Sequence, residues 1–422
     1  MKKYKIIILV CIFTLLGIFI GKVTKTSNIY EENENYQMKK HVDAISMMLE
    51  TEAGSGNYEL TTRDSWPTEG YVFNESLSKC ENGGELSWDD ANKTVLMSGN
   101  ISDKCYVYFD KITLSKYVIA QYNGVHGNSN IYYHDVSLEN GAGDNSYRYA
   151  GSSETTNNYV CFGSRAETCP EDNLYRIIGV FDWQVKLIKA TAATSTLLGT
   201  DGCYATDTDF KWSNLDACPS ETTAYIKNEN ILRLVNRNVI AGALPGIVGD
   251  GCHQWIYSDL NVVNLNTNYL KNIGTTWSNM IEDTAWKVSG HTTGDVTAKN
   301  MYTAEITNAT KTYGPSDGTS KIGLIYASDY GFAAAPSAWT TTLYNYDSST
   351  VTEVNWMYIG IDEWTLTPLS SYSAMEFGLK NGSVFHYGTS YGFIVRPVFY
   401  LKTSVVYTRG SGTASDPIRI EI

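Results

Sequence analysis

Charge is scarce in this 422-residue chain: only 18% of residues are Asp, Glu, Lys or Arg, and the 32 basic residues fall short of the 45 acidic ones, leaving a net charge of -13. A surface of that sign repels phosphate backbones and anionic lipid faces, so no nucleic-acid partner is expected. Several chemical signatures are missing as well. There is no H-E-x-x-H zinc motif, no G-x-x-x-x-G-K-[ST] phosphate loop and no C-x-x-C pair. The six histidines, His41, His126, His134, His253, His291 and His386, are scattered without metal-ligand spacing, so no metal or cofactor is expected.

What is plentiful is Tyr (31) and Gly (35), with many Ser, Thr and Asn, the composition of a β-rich, loop-rich extracellular protein. The length allows two or three domains at ~100 to 200 residues each.

The N-terminus carries the one long apolar run. Lys2, Lys3 and Lys5 precede "IIILVCIFTLLGIFIG", Ile6 to Gly21, and Lys22 and Lys25 follow. The following "FIGKVTKTS" offers no small-residue cleavage site, and Val10 before Cys11 does not fit a lipoprotein. The run is shorter than the ~20 residues a span prefers, but flanking lysines can snorkel. Residues 1–22 are therefore expected to be an uncleaved signal-anchor transmembrane helix, basic end inside and the rest of the chain outside the cell.

Of eight cysteines, Cys11 falls in that run and the others lie between Cys80 and Cys252. In an exported protein such spaced cysteines read as disulfides. Cys80 with Cys105 and Cys161 with Cys169 are the natural local pairs, and Cys203 with Cys218 is the third candidate, leaving Cys252 over.

Residues 23–57 read as a helical stalk, with Met38, Val42, Ile45 and Leu49 at helical spacing ahead of "AGSGN". Residues 58–112 read as a small disulfide-linked β module. In it, "ELSWDDANKTVLMSG" gives strand, turn and strand, and "KCYVYFD" gives another strand. Residues 113–422 read as one large α+β domain with a twisted antiparallel sheet: "NYVCFG", "LYRIIGVFD" and "QVKLIKAT" are strands, "LNTNYLKNIGTTWSNMIEDTAW" is one or two helices, and "KIGLIYASDYGFAAA" begins extended and turns helical.

In order, "LYRIIGVFDWQVKLIKA", "WSNL", "LNTNYL", "KIGLIYASDYGFA", "WTLTP" and "GFIVRPVFYL" resemble the motifs of an uncharacterised domain family of Gram-positive bacterial surface proteins. The closing "GSGTASDPIRI" and the "CENGGELSWDD" module resemble that family's tail and N-terminal companion. The family's W-W-L-R-S-P is here "WTLTP", so Thr365 and Thr367 flank Leu366 and the family's arginine is absent. The family is similar to the C-type-lectin-like fold shared with formylglycine-generating enzymes. That resemblance implies a C-type-lectin-like domain over 113–422, without the copper cysteines of those enzymes, since no cysteine follows Cys252. The calcium-site tripeptides of C-type lectins, E-P-N, Q-P-D and W-N-D, are also absent.

"GTSYG", Gly388 to Gly392, fits G-x-S-x-G around Ser390, but a strand follows it and no histidine lies beyond His386, so it reads as a glycine-rich turn. Arg396 stands inside the apolar "YGFIVRPVFYL", and burial of a guanidinium requires a carboxylate or several carbonyls. It is read as a structural clamp, with Glu376 or Asp329 as partner, and Pro397 as an edge marker. Trp356, Tyr358, Trp364, Tyr372, His386 and Tyr391 crowd a turn-rich segment, and exposed aromatic faces are common platforms for sugars and peptides. The expectation is a membrane-anchored binding or adhesion protein that takes a glycan or cell-surface protein ligand through C-terminal loops at Trp356, Trp364, Tyr372, His386 and Tyr391. An extracellular enzyme of unknown type and a structural envelope protein are the alternatives, and no catalytic residue is assigned.

Overall fold

The computed structural model describes residues 45–99, 103–199, 225–227, 231–235, 255, 258, 260–308, 318–372, 375–388 and 392–422. The apolar run 6–21, Cys203, Cys218, Cys252, Ser390 and Tyr391 lie outside them. Among the described residues no helix is long and apolar enough to cross a membrane. Two compact units divide between Ile112 and Thr113.

The first unit is a sheet built on β7 (Cys105–Lys111). Strand β1 (Ile45–Glu50) lies parallel to β7 and antiparallel to β2 (Tyr58–Leu60), while β3 (Tyr71–Phe73) and β4 (Lys79–Cys80) run antiparallel to β7. The stalk helix read across Ile45 and Leu49 is therefore a strand where the chain is described. Ile45, Met47 and Leu49 also recur with period two, and all three pack into the core of Val95, Val107 and Phe109. Packing of that alternate set decides the conformation over helical spacing that spans barely two heptads.

Hairpin β5–β6 (Glu85–Asp89, Thr94–Ser98) closes through Asp89, whose carboxylate accepts the N–H groups of Ala91 and Asn92. Trp88 of this hairpin packs edge-on against Phe109 at 5.7 Å. A disulfide joins Cys80 to Cys105, which also face each other across β4 and β7.

The second unit is mixed helix and strand. It opens with the helix Leu114–Tyr122, whose first turn is capped by the Thr113 hydroxyl accepting the Lys116 N–H. Strands β8 (Ile131–Tyr133), β9 (Tyr147–Tyr149), β10 (Tyr159–Cys161), β11 (Leu174–Phe181) and β12 (Gln184–Lys189) follow. Strands β13 (Tyr225–Lys227) and β14 (Ile231–Val235) form a hairpin, and β15 (Thr284–Trp286) pairs β16 (Gly318–Ser320). β17 (Glu363–Pro368), β18 (Met375–Lys380) and β19 (Ser383–Gly388) make a meander. β20 (Gly392–Phe393) pairs β14; β21 (Val398–Tyr400) joins β12; β22 (Val406–Arg409) pairs β23 (Arg419–Glu421). The main sheet has the order β21-β12-β11-β9-β8, with β10 also on β11, and its pairs are antiparallel.

A second disulfide, Cys161 to Cys169, ties the end of β10 to the loop before β11. "LNTNYL" begins at Leu265, in the second half of a π-helix, Leu260–Tyr269, which is followed by short α-turns Leu270–Ile273 and Thr275–Ser278. Asn264, Asn268 and Asn272, four residues apart, donate to the carbonyls of Leu198, Leu198 and Leu197 and so satisfy the end of the short helix Ser195–Leu198.

Arg396 is buried beside the main sheet. Its Nε and Nη2 donate to the two carboxylate oxygens of Glu363 at 2.8 and 2.6 Å, and Nη2 also donates to the Met357 carbonyl. The carboxylate is Glu363, not Glu376 or Asp329, because the start of β17 and the residue just after β20 lie side by side through a Glu363–Ile394 bridge. Pro397 next to it has its carbonyl taken by the Lys189 N–H.

Candidate functional site

The register of the main sheet builds a site that no local motif announces. Gly179 of β11 faces Arg148 of β9 on one side and Lys186 of β12 on the other, and Lys186 in turn faces Tyr400 of β21. Directly opposed residues share a sheet face, so Arg148, Gly179, Lys186 and Tyr400 form one row across four strands. A side chain at Gly179 is impossible, since its Cβ would lie 2.2 Å from the Tyr147 carbonyl oxygen. The hollow left between the two cations admits Asp329.

Asp329 sits in the first turn of the helix Ala327–Ala333 and bridges both: Oδ1 is 3.3 Å from Arg148 Nη1, and Oδ2 is 2.5 Å from Lys186 Nζ. The same Oδ2 accepts the Tyr326 N–H and so caps its own helix. Asp144 holds the other arm of Arg148 at 2.6 Å, and Ser146 accepts from its Nε. Burial opposes ionisation of Asp144, but Arg148 and the Ser146 hydroxyl outweigh it and hold this carboxyl far below the usual range. Burial likewise works against the Lys186 ammonium, and Asp329 more than offsets it, so the lysine stays charged.

Aromatic rings enclose the cations. Lys186 Nζ lies 4.7 Å from the Tyr326 ring centre and 5.3 Å from that of Tyr400, and the Arg148 guanidinium lies 4.6 Å from Phe181. Above this floor opens a cavity of about 310 Å³, walled by Phe181, Trp286, Tyr302, Tyr326 and Tyr400, with Asp182, Gln184, Ala285 and Lys287 at its edge. Its two floor cations are balanced by two floor carboxylates.

Behind Ser328, which lines the same cavity, Glu305 is fully buried in the π-helical turn Thr303–Thr307. Its Oε1 accepts the Ser328 N–H and the Thr367 hydroxyl, and burial pushes its carboxyl up to about 7 from the ordinary 4.5. The folded state therefore holds a proton that the unfolded state has released. This group stabilises the fold in full below pH ~4.5, and the contribution, on the order of 3 kcal/mol, is lost as pH rises through ~7. Glu305→Gln is expected to flatten the decline in stability between pH 4.5 and 7, read from urea midpoints across that range. An unchanged slope in the variant would contradict the assignment.

Of the aromatic residues singled out in the C-terminal segment, Trp356 and Trp364 are buried in the core, and Tyr391 lies outside the described residues. Trp356 is 1% exposed, donates its indole N–H to the Tyr149 carbonyl and carries the Arg176 guanidinium over its ring at 4.6 Å. Trp364 is 0% exposed and packs on Phe393 at 4.6 Å. Tyr372 is 61% exposed in the turn after β17. His386 is half-buried in β19 against Phe385, and burial pushes its imidazole down.

The signal for the cavity was present in the strands themselves. "YRY" and "VKLIK" each place a cation inside a buried run, the same anomaly that drew attention to Arg396. Comparison of the chain with protein-family models, with curated proteins and with solved structures finds no match.

Proposed function

We propose that this chain is a surface-displayed, membrane-anchored binding protein whose second unit holds a polar group of its ligand in the recess above Arg148, Lys186 and Asp329. The observation that carries the reading is that recess: a concave site with aromatic walls and a few fixed polar groups at its base is the usual form of a ligand pocket. Its floor cations are committed to carboxylates at 2.5 to 3.3 Å, an arrangement that orients a ligand and leaves neither cation poised for proton transfer.

The two disulfides suit an oxidising compartment, and the lysine-flanked apolar run at 6–21 supplies the membrane attachment in this reading. The order of motifs resembling the surface-protein family supports a C-type-lectin-like second unit. The ligand face moves from the C-terminal loops to the main sheet, because Trp356 and Trp364 are committed to the core.

Ala285 is exposed on the rim of the recess and provides the test. In a screen of the full-length protein against glycans, peptidoglycan fragments and mucin, Ala285→Trp is expected to lower affinity for the bound ligand at least ~10-fold, about 1.4 kcal/mol, with an unchanged melting temperature. Unchanged affinity in a folded Ala285→Trp protein, or no binding by the parent chain, would contradict the proposal.

A further inference from the structure

We propose that the ligand of this recess is a carbohydrate and that Trp183, at its edge, is the platform on which a sugar ring stacks; this rests on the binding reading above. Trp183 is 59% exposed, although Trp286, Trp339, Trp356 and Trp364 are each at most 1% exposed.

Its position is costly. Asp182 and Trp183 are the whole loop between β11 and β12, since Phe181 pairs with Gln184, and their φ values are +46° and +66°. A two-residue hairpin with both φ positive selects Asn or Asp first and Gly second. A bulky L-residue in the second place crowds its Cβ against its own backbone.

The same chain shows the unstrained solution. The β18–β19 hairpin turns on Asn381 and Gly382, with φ of +54° and +91°. Gly would serve equally in the β11–β12 turn, so an exposed indole held there in a disfavoured conformation points to a use outside the fold.

The recess supplies that use. Both neighbours of Trp183, Asp182 and Gln184, line it, so the turn that carries the indole stands at its mouth. With Arg148 and Lys186 balanced by Asp144 and Asp329, the floor carries no surplus charge to select an anion or a cation. What it offers is aromatic surface beside fixed donors and acceptors. A pyranose matches both, presenting an apolar C–H face to a ring and hydroxyls to the polar groups.

The test uses the full-length chain with an array of defined neutral oligosaccharides, including β-1,4-linked N-acetylglucosamine oligomers and N-acetyllactosamine, followed by calorimetry on the best binder. Trp183→Gly is expected to weaken binding at least ~10-fold while raising the melting temperature by about 2 °C, because the turn loses its strain. Trp183→Tyr is expected to retain most of the affinity.

Full affinity in Trp183→Gly with loss in Ala285→Trp would overturn the role of Trp183 and leave the recess standing. Full affinity in both variants would remove the recess itself. A lowered melting temperature in Trp183→Gly would make the indole a packing residue and overturn the proposal. Binding of peptides but of no sugar would overturn the ligand class.

Discussion

Asp329→Ala is expected to destabilise the second unit by at least ~3 to 5 kcal/mol, enough to unfold a marginal domain near 37 °C. Asp329 is the shared partner of Arg148 and Lys186, all three at most 3% exposed, and its removal strands the ammonium and half of the guanidinium's pairing in a low-dielectric site. The Tyr326 N–H loses its cap in the same step, which adds about 1 kcal/mol. Urea unfolding of the wild type, Asp329→Ala and the double variant Asp329→Ala with Lys186→Met measures this. The double variant should recover part of the loss, since one of the two stranded cations is gone. A cost below ~1 kcal/mol for the single variant would show that water reaches the floor and that the cations do not depend on the carboxylate.

The second large effect belongs to Arg396. Glu363→Ala is expected to cost about 3 to 5 kcal/mol, because it leaves a guanidinium 1% exposed with, among the described residues, only the Met357 carbonyl to accept from it. Arg396→Met alone strands the Glu363 carboxylate in the same way. The double variant Glu363→Ala with Arg396→Met should be less destabilised than the sum of the two, since no unpaired charge remains. Strict additivity in a double-mutant cycle would mean that the two residues act independently, against the bidentate geometry at 2.6 and 2.8 Å.

The local elements were legible and the long-range register was not. The β5–β6 hairpin declares itself through Asp89 to Asn92 between two runs of β-formers, and the strands at 174–181 and 184–189 through continuous apolar stretches. Cys80 with Cys105 and Cys161 with Cys169 are near enough in sequence for local pairing to be the economical reading. Ile45–Glu50 reads as part of a stalk helix from its spacing, and pairing with β7 sixty residues away makes it a strand instead.

Arg396 is recognisable as a buried charge from its apolar neighbours, but choosing Glu363 over Glu376 requires knowing which strands lie side by side. The recess is harder still. Arg148, Gly179, Lys186 and Tyr400 come from four strands, and only the pairing puts them in one row with a gap at the glycine. Aromatic crowding misleads for the opposite reason. Trp356 and Trp364 share a turn-rich segment, yet one has its indole N–H bonded to Tyr149 and the other is packed on Phe393, and composition does not say which rings face inward.

A crystal structure of the full chain soaked with the tightest-binding oligosaccharide tests the central claim most directly. The predicted result is a sugar ring stacked on Trp183 with its neighbour in the recess beside Tyr302 and Tyr400. Sugar bound elsewhere, for example on the Tyr122, Tyr133 and Tyr147 rings, with the recess unoccupied, would contradict it.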